Sequence, residues 1–460
     1  MELDEYSSLD AVALRELIRA GTVGAAEVEA VARRALLAVD ADLNALTLPL
    51  FDPALGHDPH GPLGGVPFVI KDSSPFARGV PFALGSRAIR GVARQDHPMM
   101  ERFRAAGLVT LGQSTAPELS LSFSTESVLH GPTNNPWAPD RGVGGSSGGA
   151  AALVAAGAVP LAHGNDGAGS LRIPASCCGI VGLKPSRGRT PDGPGSPVGR
   201  PVGVEFALSR TVRDTAHLLQ AVKSPLGRGG SFVDDLRSDP GRLRIAHTTD
   251  AWSGVAIDPQ VAAVTVAAAS VLEWIGHSVV AATPGIDHDS VVEAEMLGVV
   301  AAGTALLGAP VQPAQDRLEA VSRRVLAETR AFTPEDWARS ADAQERVTRA
   351  VDRFFGGFDL LVSPTLGRLP ARHGELDYDN PEYSVRDWLR RIFEYGPFTA
   401  AFNVSGHPAI SLPLGESREG LPIGVQLVAP LGREDLLIRV SAQLEQAMPW
   451  SDRQPAHFAG

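Results

Sequence analysis

Short apolar runs alternate with helix-patterned segments along almost all of this 460-residue chain, and that alternation limits the folds open to it. The runs fall at residues 66–70, 108–111, 158–162, 243–247, 358–362, 409–414 and 423–428. Between them apolar residues recur at helical spacing. The first such segment covers 9–20, with Ser7 and Ser8 as capping candidates and Gly21 to close it, and a second covers about 25–39. This pattern predicts an α/β layered fold around a mixed sheet. Residues 185–205, dense in Gly and Pro, predict a long ordered loop, and the Ala/Glu/Arg-rich residues 285–350 predict a helical cap over a site.

Composition narrows the partners. With 44% hydrophobic and 20% charged residues the chain can bury a sizeable core, and its net charge of −11 disfavours nucleic acid and anionic lipid. A small-molecule partner is expected, with no nucleic acid and no membrane. The only cysteines, Cys177 and Cys178, are adjacent, which rules out an intrachain disulfide framework and a closed zinc site and suits a reducing compartment. The start, MELDEYSSLD, lacks the basic segment and apolar run of a secretory signal, so a cytoplasmic protein is expected. The most continuous apolar stretch, 150–162, is broken by Gly157 and Pro160 and falls short of the roughly 20 residues that span a bilayer.

Three stretches carry chemistry. The first, GGVPFVIKD at 64–72, ends an apolar run on Lys71, one of only three lysines in an arginine-rich chain. A buried lysine can lose its proton near neutral pH, whereas arginine cannot. The second, RGVGGSSGG at 141–149, runs into an Ala-rich helical segment. It lacks the Lys-Ser/Thr ending of a phosphate loop, and Ser147 stands where a dinucleotide fold needs its third Gly. Gly144–Gly148 does satisfy G-x-S-x-G, so an α/β-hydrolase-type esterase using Ser146 stays open, although a turn-rich, two-proline approach precedes it. The third, HGNDGAGSLRIPASCCGIVG at 163–182, gathers small residues before Ser170, whose backbone N–H groups are free to converge on an oxyanion. Taken alone, it reads first as an ordinary glycine-rich turn.

Together with GPTNNPW at Gly131, FDLLVSPT at Phe358, FTAAFNVSGHPAISLP at Phe398 and GLPIGVQLV at Gly420, these stretches resemble the amidase signature family of hydrolases. The resemblance implies an α/β/α sandwich with a large central mixed β-sheet surrounded by helices. One domain over 1–460 is expected, with its core at about 60–225 and 355–450. It implies a Ser–cis-Ser–Lys triad of Ser170 as nucleophile, Ser146 as bridging serine in a cis peptide, and Lys71 as base. The 24-residue separation of Ser146 and Ser170 is typical of the family and selects Ser146 over Ser147. Backbone N–H groups of Gly167, Ala168, Gly169 and Ser170 would form the oxyanion hole, with Asp166 and Arg172 pairing in support.

Glu126 and Asn403 are candidate pocket or support residues, and Lys184, read as lying in a loop leaving the core, is the competing base. His163, His407 and the two cysteines read as packing residues rather than ligands or nucleophiles. Where most members show Thr-Asp-x-Gly-Gly-Ser, this chain has Ala168 in place of a glycine, which is expected to disfavour positive φ in the turn and trim the acyl pocket. The HGND-G variant resembles members acting on nylon oligomers and aryl amides. The implied activity is cofactor-free and metal-free hydrolysis of a small or aryl amide, a carbamate (urethane) or a nylon-type oligomer. A glutaminase subunit of a transamidosome is the alternative with the same triad, and a homodimer is compatible with either.

Overall fold

The glycine- and proline-bounded apolar runs all become strands. In the computed structural model, which describes residues 1–74, 76–191, 199–224 and 230–460, they form Pro67–Lys71, Val109–Ser114, Leu161–Asp166, Arg244–His247, Leu360–Pro364, Ala409–Glu416 and Pro422–Val428. Three further strands, Val181–Lys184, Val204–Ser209 and Ser278–Ala281, have no counterpart among the expected runs. Gly182 interrupts the first, Glu205 the second, and the third is only half buried.

All ten strands join one sheet. From one edge the order is Ser278–Ala281, Arg244–His247, Leu360–Pro364, Pro422–Val428, Ala409–Glu416, Val181–Lys184, Val204–Ser209, Leu161–Asp166, Pro67–Lys71 and Val109–Ser114. Pairing is parallel at both flanks and antiparallel through the middle. Pro67–Lys71 lies between two parallel neighbours, Val69 pairing with Ala162 on one side and Gly112 on the other. The carboxyl ends of these strands therefore open on the same sheet edge, the usual location of ligands in α/β sheets. Val69 and Ile70 are 1% exposed or less, each contributing about 1.5–3 kcal/mol relative to an exposed side chain.

Helices surround the sheet, and one hydrophobic cluster runs from Tyr6 to Ala459. The expected first helix is Ala11–Arg19, preceded by a short Leu3–Ser8 helix; Asp10, not Ser7 or Ser8, caps it by accepting from Ala13 N–H. The second runs further than expected, Ala25–Leu43, and stops where Asn44 turns to φ 52°. The 285–350 region is helical as expected: His288–Leu307, Ala320–Ala331 and Pro334–Phe355. His288–Leu307 is long and apolar enough to cross a membrane, yet Val292, Met296, Val299 and Val300 are buried and the helix packs against both of its successors. The loop expected at 185–205 lies in part outside the described residues; Val204 already belongs to a strand.

Candidate active site

Lys71 is the last residue of its strand and is 1% exposed. Its Nζ lies 2.7 Å from Ser146 Oγ and 2.6 Å from Asn165 Oδ1. Burial lowers the ammonium from 10.5 to about 7, against the upward pull of Glu205, Asp166 and Asp72. Asn165 and Asp166 close the neighbouring strand, so parallel pairing sets Asn165 beside Lys71. Behind them, the Lys71 N–H donates to His163 Nδ1 at 3.4 Å, and His163 Nε2 lies 2.7 Å from Glu205 Oε2. Burial holds His163 below its ordinary value, so the neutral ring accepts at Nδ1 and donates from Nε2.

Ser146 follows a cis peptide from Gly145. Thr125 Oγ1 donates to Gly144 O at 2.8 Å, and Asn135 Nδ2 to Gly142 O at 3.1 Å and Cys177 O at 2.9 Å. The glycines here serve close packing rather than phosphate binding. A Cβ on Gly145 would meet Ser122 O at 2.7 Å, and one on Gly148 would meet Thr125 Oγ1 at 2.3 Å. The Gly148–Ala155 helix that follows is buried on every side. No strand leads into Ser146, and lysine rather than histidine meets its hydroxyl, so the geometry is not that of a nucleophile elbow.

The turn from Asp166 to Ser170 is fixed from behind. Asp166 and Arg172, both fully buried, form a two-point ion pair at 2.9 Å on each arm. Arg172 spends its remaining donors on Thr399 O, Gln426 Oε1 and Asn403 Oδ1, at 3.0, 2.7 and 2.6 Å. Burial would raise the Asp166 carboxyl, but Arg172 outweighs it and brings the group to about 2. Asn403 Nδ2 donates to Asp166 O at 2.8 Å, and Thr399 Oγ1 to Ala168 O at 2.6 Å. A trans peptide points its N–H opposite its carbonyl, so the N–H groups of Gly167 and Gly169 are turned away from Asn403 and Thr399. Gly167, Ala168 and Ser170 line a cavity of about 230 Å³, together with Ser146, Phe123, Leu389 and Ile392.

The readings of Glu126 and Lys184 need correction, and those of Ala168 and Asn403 are narrowed. Ala168 does not sit at positive φ; only Gly169 does in this turn, at 145°, where a Cβ would meet Thr399 Oγ1 at 2.5 Å. The alanine methyl is thus accommodated without backbone strain and forms part of the cavity wall. Glu126 does not line this cavity: its carboxylate accepts from Ser124 Oγ and Gly374 N and meets His373 Nδ1, beside a separate small pocket. Of the two roles open to Asn403, its contacts fit support, since it is committed to Asp166 and Arg172. Lys184 is not in a loop but ends the Val181–Lys184 strand, fully buried and also lowered to about 7 by burial. Its Nζ meets Pro185 O at 2.8 Å, so contacts, not burial, distinguish it from Lys71.

Cys177 and Cys178 are buried and free, the first pushed up to about 12 by burial, which leaves no reactive thiolate. Among the described residues no group of three His, Cys, Asp or Glu side chains is placed to hold a metal ion. The side chains at this site not named from sequence are Asn165, Thr399 and Gln426, all inside quoted motifs, and Glu295, which no motif marks.

The profile of the amidase family matches residues 42–438. The 6-aminohexanoate-cyclic-dimer hydrolase of Paenarthrobacter ureafaciens is 37% identical over 480 residues, covering 97% of this chain and 96% of the relative. The solved structure of 6-aminohexanoate cyclic dimer hydrolase superposes with a TM-score of 0.89 at 35% identity, covering 99% of each chain. A bacterial aryl acylamidase structure gives 0.85 at 27% identity, covering 96% of this chain and 97% of the other. The chain belongs to the amidase signature family and is an amide hydrolase.

Proposed function

We propose that this enzyme cleaves C–N amide bonds through an acyl-enzyme on Ser170, with Ser146 and Lys71 as proton relay. Ser170 Oγ attacks the carbonyl carbon and gives its proton to Ser146 Oγ, which passes its own proton to neutral Lys71 Nζ. The C–N bond then breaks as Lys71 and Ser146 return a proton to the departing nitrogen. Water adds to the acyl ester, loses its proton along the same path, and releases the acid and Ser170. One N–H of Lys71 is occupied by Asn165 Oδ1, which leaves the nitrogen lone pair for the Ser146 hydroxyl. The oxyanion falls to the backbone N–H groups of Gly167 to Ser170, and loss of one such donor costs about 3–4 kcal/mol in the transition state.

The single observation carrying this reading is the 2.7 Å contact between a lysine lowered to about 7 and Ser146, at a cavity also lined by Ser170. The largely apolar cavity suits a neutral amide. Likeness to cyclic-dimer hydrolases favours 6-aminohexanoate-type oligomers, and Phe123 in the wall favours aryl amides as a second class. Aryl carbamates present the same carbonyl to the triad. The residues supply nucleophile, base and oxyanion donors without a cofactor, and two buried free thiols fit a cytoplasmic enzyme.

A panel of anilides, aliphatic amides including glutamine, 6-aminohexanoate oligomers and aryl carbamates tests the reading. Turnover by the wild type, at least a thousandfold lower in Ser170→Ala, is expected. Wild-type rates in Ser170→Ala overturn the mechanism, and release of ammonia from glutamine alone points instead to the glutaminase.

A further inference from the structure

Glu295, on the His288–Leu307 helix, is 4% exposed, and its Oε1 is buried with no hydrogen-bond partner. It lines the same cavity as Ser146 and Ser170. The basic groups near it are engaged elsewhere. All five N–H donors of Arg172 go to Asp166, Thr399, Gln426 and Asn403, and the Arg187 guanidinium meets the carbonyls of Pro201, Asn403 and Val404. A buried polar group without a partner costs stability, so a carboxyl kept in this state is explained by a partner that arrives with the ligand.

The surroundings decide what that partner is. Leu297, Val299, Ala301 and Ala302 from the same helix, with Leu389 and Ile392 opposite, make the wall apolar. Burial and the nearby Asp166 carboxylate push the Glu295 carboxyl well above its ordinary value, against Arg172 and Arg187, so it faces the cavity as a neutral acid. A neutral carboxyl offers one O–H donor and one carbonyl acceptor side by side. A primary carboxamide presents the complementary N–H and C=O.

Resting on the hydrolase reading above, we propose that Glu295 binds a second, non-scissile carboxamide of the substrate, so that the enzyme prefers bifunctional amides over monofunctional amides of equal length. The carboxamide N–H donates to the carboxyl C=O, and the carboxyl O–H donates to the carboxamide oxygen. Glu295 is a specificity residue and takes no part in bond breaking. Its selectivity has the asymmetry of any site built around a hydrogen bond: an analogue lacking the polar group leaves the acid unpaired.

The test compares the 4-nitroanilides of hexanoic acid and of 6-amino-6-oxohexanoic acid, with wild type, Glu295→Gln and Glu295→Leu. Wild type is expected to favour the carboxamide-bearing anilide by roughly tenfold or more in kcat/KM, expressed in KM. Glu295→Gln, which keeps a donor and an acceptor, retains the preference. Glu295→Leu loses it and melts at a higher temperature because the unpaired acid is gone.

Binding of adipamide and hexanamide to Ser170→Ala, with and without Glu295→Leu, reads the same preference without turnover. Tighter adipamide binding that Glu295→Leu abolishes supports the proposal even if neither anilide is cleaved, an outcome that would count only against aryl amides as substrates. Turnover with equal preference in wild type and Glu295→Leu overturns the proposal and leaves the hydrolase intact. A preference for the 6-aminohexanoyl anilide, lost in Glu295→Gln, also overturns it, because the site would then hold a carboxylate for a cation.

Discussion

Thr399 Oγ1 donates a 2.6 Å hydrogen bond to the carbonyl oxygen of Ala168, from a segment 231 residues away in sequence. That bond sets the plane of the peptide whose N–H belongs to Gly169, a candidate oxyanion donor. Thr399→Val keeps the shape of the side chain and removes the donor. It is expected to lower kcat about tenfold, less than the hundredfold or more for a donor lost outright, with KM unchanged. Thr399→Ser should restore the rate, and steady-state kinetics on one anilide would measure all three. A loss confined to KM would place Thr399 in substrate binding instead.

The proposed relay needs Lys71 uncharged. With the ammonium lowered to about 7, kcat/KM should rise with pH through about 7 and fall tenfold per unit below it. Asn165→Asp puts a carboxylate where Oδ1 now accepts from Nζ at 2.6 Å, which favours the ammonium. The acid limb of the profile should then move up by about one to three units, whereas Asn165→Leu should lower kcat without that displacement. A profile that stays in place for Asn165→Asp would separate Lys71 from the rate-limiting proton transfer.

Lys184 offers a control of opposite sign. It too is lowered to about 7, so the unfolded chain holds a proton that the native state gives up between about 7 and 10.5. The penalty is full below the folded value and vanishes above the unfolded one. Lys184→Met should therefore stabilise the protein by up to about 3 kcal/mol at pH 6.5, after allowance for the bond to Pro185 O, and by nothing at pH 10.5. Turnover should survive. Urea melts at the two pH values check the first statement and anilide rates the second; Lys184→Arg is a poorer probe, since a larger guanidinium must enter a closed site.

What was legible in the sequence was legible for local reasons. Pro67–Lys71 and Pro422–Val428 are continuous apolar runs bounded by turn residues, and both appear close to where the pattern puts them. Val204–Ser209 escaped because Glu205, whose partner His163 lies across the sheet, looks like a surface residue until that pairing is known. Lys184 looked like a loop residue for a related reason: Gly182 and Pro185 are local turn signals, and the sheet overrides them.

The serines and Lys71 were marked by motifs in which Gly64, Gly145, Gly148 and Gly169 stand where a Cβ would collide with neighbouring atoms. Glu126 was misplaced, and Asn403 was left between pocket and support, because motif membership does not distinguish a pocket wall from the layer behind it. Glu295 carried no signal at all, since a glutamate in an Ala-rich helix reads as solvent-facing until the fold buries it.

The central claim is that the acyl group passes through Ser170 and that Lys71 drives its formation through Ser146. The most direct measurement is the site of covalent capture by a fluorophosphonate, read by mass spectrometry of the peptides after quenching. One adduct is expected, on Ser170 of the wild type, absent in Ser170→Ala and formed at least a hundredfold more slowly in Lys71→Met and Ser146→Ala. An adduct on Ser146 in the wild type, or labelling of Ser170 at an unchanged rate in Lys71→Met, would contradict it.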